Sequence, residues 1–310
     1  MPDAVRLDPE GVVRAPGPWT HRDVAANGAR FHVVERGRGP MVLLLHGFPM
    51  FWWTWRRQLV ALADAGYRAV AMDLRGYGGS DHPPHGYDPF TLSGDVAGVI
   101  RSLGSADAVV VGHGWGGFVA WSMAVLEPDA VRGIVPVSMP HPQRLRAAFL
   151  GDGVQRRRSR YALGFQWPFL PERSLTRRDA ERVGQILTDW SATPEFPDEE
   201  ASEVYRTAFQ LWPTAHCAVE YHRWAVRSIL RRDGRGFMTR MEAPVRVPVL
   251  QVHGAEDPTL LVGSVRGSED FVEGPYRFVP LDGVGHFPQE EVPATFTRLL
   301  QNWLAAPVAG

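Results

Sequence analysis

Along the first half of the chain, short apolar runs alternate with stretches of helical spacing. Residues 41–45, 68–72, 108–111 and 131–137 are apolar and bounded by glycine or charge, the pattern of parallel strands buried on both faces. Between them, residues 53–65, 91–103 and 116–126 repeat their apolar positions at three and four, which predicts helices. This rhythm specifies an α/β protein with a mostly parallel, doubly wound sheet, and residues 19–24 and 29–36 supply an antiparallel edge ahead of it. Functional side chains in such a sheet belong at the carboxyl ends of the strands.

The rhythm stops after Met139. From 141 to 241 the chain is rich in aromatic residues, arginine and proline and has only helical patterns, with Tyr205, Phe209 and Trp212 expected on one helical face and a further helix expected over 218–230. Strand-like runs return at 248–252 and 276–280, followed by an amphipathic helix over 291–304. The expected organisation is therefore an α/β core, residues 1–140 and 242–310, interrupted by a helical lid, residues 141–241.

Composition narrows the function. With 310 residues, 45% of them hydrophobic and 22% charged, the chain reads as an ordinary soluble protein. A net charge of -1 argues against nucleic acid or an acidic membrane as partner and favours a small hydrophobic molecule; a homodimer is compatible with it. Residues 1–11 are polar and lack the apolar stretch of a signal peptide, so the expected location is cytoplasmic. Cys217 is the only cysteine, which leaves no intrachain disulfide, and the absence of lysine removes Schiff-base chemistry. His82 and His85 lack further ligands at metal spacing, so neither a metal nor another cofactor is expected. The basic run at 156–160 reads as a solvated helix face.

Four segments lie at predicted strand ends. His46-Gly47-Phe48-Pro49 follows the first core strand, where a sharp turn can aim the Phe48 amide into a site as an oxyanion donor. Gly112-His113-Gly114-Trp115-Gly116-Gly117 joins a strand to a helix with the spacing of a nucleophile elbow, and the Trp115 amide at the helix start would be a second donor. Asp257 and His286 follow two later strands, giving the chain order nucleophile position, acid, histidine. Asp257 is read as the acid that orients a His286 base, with Glu256 as its less well-placed substitute. His46 and His113 are read as turn-packing residues, and Cys217 as packing. Trp52, Trp53, Trp115, Phe165 and Trp167 are candidates for the lining of an apolar pocket.

Together these segments, with Asp73-Leu74-Arg75-Gly76-Tyr77-Gly78-Gly79-Ser80-Asp81 and His141-Pro142, resemble the α/β-hydrolase superfamily, and within it the epoxide-hydrolase and haloalkane-dehalogenase-like branch. In that branch the elbow usually reads Gly-His-Asp-Trp-Gly-Gly, and the aspartate forms an ester that the histidine helps water to hydrolyse. This chain has Gly114 there, so no ester or acyl intermediate can form at the elbow. The resemblance also implies two lid tyrosines that protonate the epoxide oxygen. Tyr161, ahead of Phe165-Gln166, matches the first; at the second stands His222, next to Tyr221, and either is a candidate donor.

The favoured reading is an enzyme in which His286, oriented by Asp257, activates water in the space left at Gly114. The alternatives are a lyase or cyclase using His286 for proton transfer, a catalytically silent binder of a small hydrophobic ligand, and a hydrolase disabled by loss of its nucleophile.

Overall fold

The structure is a computed structural model that describes residues 8–306, so the first seven positions of the polar start lie outside the described residues. Its centre is a single eight-stranded sheet. The strands are β1 (Thr20–Ala26), β2 (Ala29–Arg36), β3 (Met41–Leu45), β4 (Arg68–Met72), β5 (Ala108–His113), β6 (Val131–Val137), β7 (Val249–Gly254) and β8 (Tyr276–Leu281). They stand in the order β1-β2-β4-β3-β5-β6-β7-β8; β2 is antiparallel to both β1 and β4, and every other pairing is parallel. The mostly parallel, doubly wound sheet with an antiparallel edge is thus found as expected. Leu43 lies in register with Val70 and Val110, and all three are fully buried, which is why these strands carry unbroken apolar runs.

Strand β5 runs two residues beyond its apolar stretch because Gly112 and His113 still pair with Pro136 and Val137 of β6. The chain then reverses within one residue into the helix Trp115–Leu126. Only glycine fits at position 116, where an added Cβ would lie 2.3 Å from the Leu45 carbonyl oxygen. That close approach sets the start of this helix beside the carboxyl end of β3.

Between β6 and β7 the chain forms helices alone, from Pro142–Gly151 to Arg232–Arg240. Here two expectations need correction. Tyr205 and Phe209 are buried together, but Trp212 is 88% exposed, because the helix Glu199–Ala208 has ended and a residue preceding Pro213 is barred from the helical region. The helix expected over 218–230 begins earlier, as Thr214–Arg227. The long helical stretch Leu170–Trp190 is broken at residues 177–180, where Arg178, Asp179 and Ala180 adopt positive φ in succession. Its second half brings Trp190 over the carboxyl ends of the strands.

Candidate active site

His286 follows β8 and Asp257 follows β7, and their side chains meet beyond the carboxyl ends of these strands. The His286 Nδ1–H donates to Asp257 Oδ2 at 2.7 Å. Asp257 Oδ1 accepts from the Thr259 and Leu260 amides at 2.8 and 3.1 Å and from the Thr259 hydroxyl at 2.8 Å, so the carboxylate is held from several sides. Burial alone would push this carboxyl up, but His286 beside it and the hydrogen bonds it receives bring it down to about 2. Asp257 is therefore ionised at neutral pH. It fixes the proton on Nδ1 and leaves the His286 Nε2 lone pair free to accept one. Glu256 is exposed and takes no part in this pairing.

His286 Nε2 faces residue 114. Gly114 sits at φ +52° as the turn between β5 and its helix, and a Cβ built there would lie 3.7 Å from His286 Nε2 and 3.6 Å from the Gly47 Cα. Both are ordinary van der Waals separations. Among the described residues, neither the Phe48 nor the Trp115 amide donates to a protein acceptor, and the Gly47–Gly114 contact brings the two turns that carry them together. The arrangement comprises a base, two unused N–H donors and room for a small group.

The loop bearing His286 is held by His113, which packs this turn as expected, and by Trp190 and Glu291, which the sequence did not single out. The His286 amide donates to the Trp190 carbonyl at 2.8 Å, and His113 Nε2–H donates to the His286 carbonyl at 2.8 Å. Buried Glu291 accepts from the amides of Gly285, Phe287 and Ala192 at 2.8–2.9 Å and of Thr193 at 3.2 Å, tying the loop to the chain after Trp190. Replacing Glu291 with alanine strands these amides, and the expected loss is about 3 kcal/mol or more of stability, read as a lower Tm. Thr259 could have been found from Asp257-Pro258-Thr259, since aspartate commonly caps the amide two residues on. Glu291 carries no such local signal.

Aromatic side chains from the helical insertion surround the dyad. Trp190 meets His286 edge-on at 5.3 Å between centroids, and Tyr161 lies 5.2 Å from Trp190. Phe48 contacts Phe165, Phe209 and His222 at 5.8, 5.8 and 5.1 Å. The Tyr161 hydroxyl has no protein hydrogen bond among the described residues; burial, with Asp257 nearby, raises its pKa well above the ordinary tyrosine value, so it holds its proton.

Several candidates are placed otherwise than the sequence implied. His222 reaches the site, but its Nδ1–H donates to the Ala218 carbonyl and its Nε2 accepts from the Trp115 indole at 3.2 Å, leaving it no proton to give. Tyr221 donates its hydroxyl to the Arg75 carbonyl at 2.8 Å and points away. Trp52 is fully buried under the start of the chain, its indole donating to the Val13 carbonyl and its ring packed on Trp19 and His32. Trp167 is 64% exposed and lines no part of the site. His46 and Cys217 are packed as read: His46 Nε2 accepts from the Leu74 amide, and burial lifts the Cys217 thiol to about 11.

Burial lowers the His222 imidazole to about 4 and the His141 imidazole to about 3. A histidine with its folded value depressed contributes stability in full above its unfolded value of about 6.5 and loses it as pH falls through the folded value. We therefore expect Tm to drop on acidification from pH 6.5 to 4. In His222→Phe the accompanying loss of unfolding free energy should be smaller by on the order of 3 kcal/mol, read as a smaller fall in Tm.

Residues 40–293 match the protein family described as alpha/beta hydrolase fold. The chain is 34% identical over 282 residues to epoxide hydrolase 3 of Xenopus tropicalis, covering 90% of this chain and 75% of that protein. It is 33% identical over 319 residues to epoxide hydrolase A of Mycobacterium tuberculosis, covering 93% and 98% of the two. Among solved structures, an epoxide hydrolase from Vigna radiata superposes with a TM-score of 0.79 at 28% identity, over 93% of this chain and 98% of that one.

Proposed function

The chain belongs to the α/β-hydrolase fold family, and from that premise we propose that it is an epoxide-hydrolase-like enzyme that opens small apolar epoxides with water, without a covalent intermediate at the elbow. The observation that carries this reading is the unpartnered His286 Nε2, set 3.7 Å from where a side chain on Gly114 would begin. Water in that space gives a proton to Nε2, and its oxygen bonds to the epoxide carbon as the ring C–O bond breaks. The Phe48 and Trp115 amides hold the charge that gathers on the attacking oxygen. Tyr161 supplies the proton to the departing alkoxide, and the proton on His286 returns to Tyr161 as the diol leaves. Residues 141–241 act as a lid whose aromatic side chains exclude bulk water and bind an apolar substrate. The chemistry calls for neither metal nor cofactor.

One observation favours a second reading, that of a hydrolase silenced at its nucleophile. The elbow turn keeps a positive φ and room for a Cβ at 114, as though built around a side chain.

Assay of the native chain on an aryl epoxide, beside Tyr161→Phe, tests the first reading. We expect diol formation above the buffer rate and a loss of about 10- to 100-fold in kcat in Tyr161→Phe with little change in KM, since the proton is needed only as the ring opens. Equal rates in the two proteins would remove Tyr161 from the mechanism.

A further inference from the structure

Exposed apolar surface and positive charge are concentrated on the same third of this molecule. Of the ten large hydrophobic side chains that are exposed among the described residues, nine lie between 141 and 241 and only Phe90 lies outside. The same stretch holds 17 arginines against 12 acidic residues, which leaves 16 arginines against 22 acidic residues for the rest of the chain. The whole-chain charge of -1, which argued against an acidic membrane as partner, averages over a basic insertion and an acidic body.

The two properties interleave along two segments. In the first, Arg156, Arg157, Arg158 and Arg160 are exposed just ahead of exposed Leu163, Trp167, Phe169 and Leu170. In the second, Ile229 and Leu230, 70% and 85% exposed, are flanked by exposed Arg227, Arg231 and Arg232. These segments are neighbours: Arg223, one turn before Arg227, donates to the Phe165 and Trp167 carbonyls at 3.0 and 2.8 Å.

We propose that this face of the insertion docks on the surface of an anionic lipid bilayer. A bilayer offers both things the face presents, phosphate headgroups for the arginines and hydrocarbon for the side chains between them. Tryptophan and phenylalanine at the boundary are suited to the headgroup layer. Nucleic acid would satisfy the arginines but give Leu163, Leu170, Ile229 and Leu230 nothing to enter. A second copy placed face to face would set one basic surface against another. The acidic body is repelled by the same membrane, so the charge division also orients the molecule with its insertion toward the lipid. No helix of the described residues is long and apolar enough to cross a membrane, and the contact is interfacial.

Sedimentation of the full chain with vesicles tests this, using phosphatidylcholine alone and phosphatidylcholine mixed with phosphatidylglycerol. At low salt the partition constant on mixed vesicles is expected to exceed that on phosphatidylcholine by at least about tenfold, and to fall as salt is raised. Trp167→Ser combined with Phe169→Ser, and separately Arg157→Glu combined with Arg158→Glu, should each lower it by about fivefold or more. All four side chains are exposed, so the variants should keep the native Tm, which is measured alongside. No preference for mixed vesicles, or binding unchanged in both pairs of variants, overturns the proposal. So does concentration-dependent dimerisation that the Trp167→Ser, Phe169→Ser variant abolishes, which would assign the face to a second copy.

Discussion

Gly114→Asp is expected to turn over an aryl epoxide at least about a hundredfold faster than the native chain, because it adds a tethered nucleophile to a base and donors already in place. The geometry permits the change. A Cβ at 114 meets only the Gly47 Cα and His286 Nε2 within 4 Å, at 3.6 and 3.7 Å, so a side chain can begin there without displacing backbone. The cost is conformational. Position 114 has φ +52°, and an L-residue held there loses about 1–2 kcal/mol, which should appear as a lower Tm in the faster protein. The ester formed on the new carboxylate would be hydrolysed by water activated at His286. Gly114→Ala is the control: it has the same strain, no nucleophile and less room for water, and its turnover should fall below that of the native chain. If Gly114→Asp gains nothing while Gly114→Ala loses nothing, residue 114 does not border the reacting atoms.

The second large effect is expected at the dyad. His286→Ala should bring turnover down by about 10² to 10⁴, to the buffer rate if native turnover is slow, with the fall in kcat rather than KM. Asp257→Asn should lose a comparable amount for a different reason. In the native site the carboxylate, held at about 2 by His286 and its amide donors against the effect of burial, accepts the Nδ1 proton and leaves Nε2 basic. An amide nitrogen in its place donates to Nδ1 and moves the ring proton to Nε2, where it faces the substrate as an acid. Thermal unfolding separates this from misfolding: His286→Ala leaves the buried Asp257 carboxylate without its partner and should lower Tm, but its loop keeps its backbone and Glu291 bonds, so unfolding should stay a single cooperative transition above the assay temperature.

The sheet was legible because its strands are buried on both faces and carry little but apolar residues; Met41–Leu45 and Val131–Val137 coincide with their runs. The backbone part of the site followed, since Phe48, Gly114, Asp257 and His286 lie one to five residues beyond strand ends and short turns leave them little freedom. The insertion was less legible. Helical spacing says which residues share a face but not what that face meets, and a family position does not say where a hydroxyl points, so Trp167 and Tyr221 are expected at the site while the fold turns them elsewhere, as it does Trp52 of the core. His222 lies where the resemblance put it, but its two hydrogen bonds, to Ala218 and Trp115, depend on packing that no local pattern encodes. Trp190 and Glu291 carry no such pattern either: Trp190 meets the His286 loop, and Glu291 meets Ala192 and Thr193, across about a hundred residues of sequence.

The central claim is that His286 and water open the ring without a bond to the protein. It is tested most directly by a single turnover of an aryl epoxide with excess native chain in ¹⁸O-labelled water, with His286→Ala in parallel. The account predicts diol from the native chain carrying one labelled oxygen already in the first turnover, and none above background from His286→Ala. An unlabelled first-turnover diol would mean that a protein carboxylate supplied the oxygen, and no diol at all would mean that the native site binds without reacting.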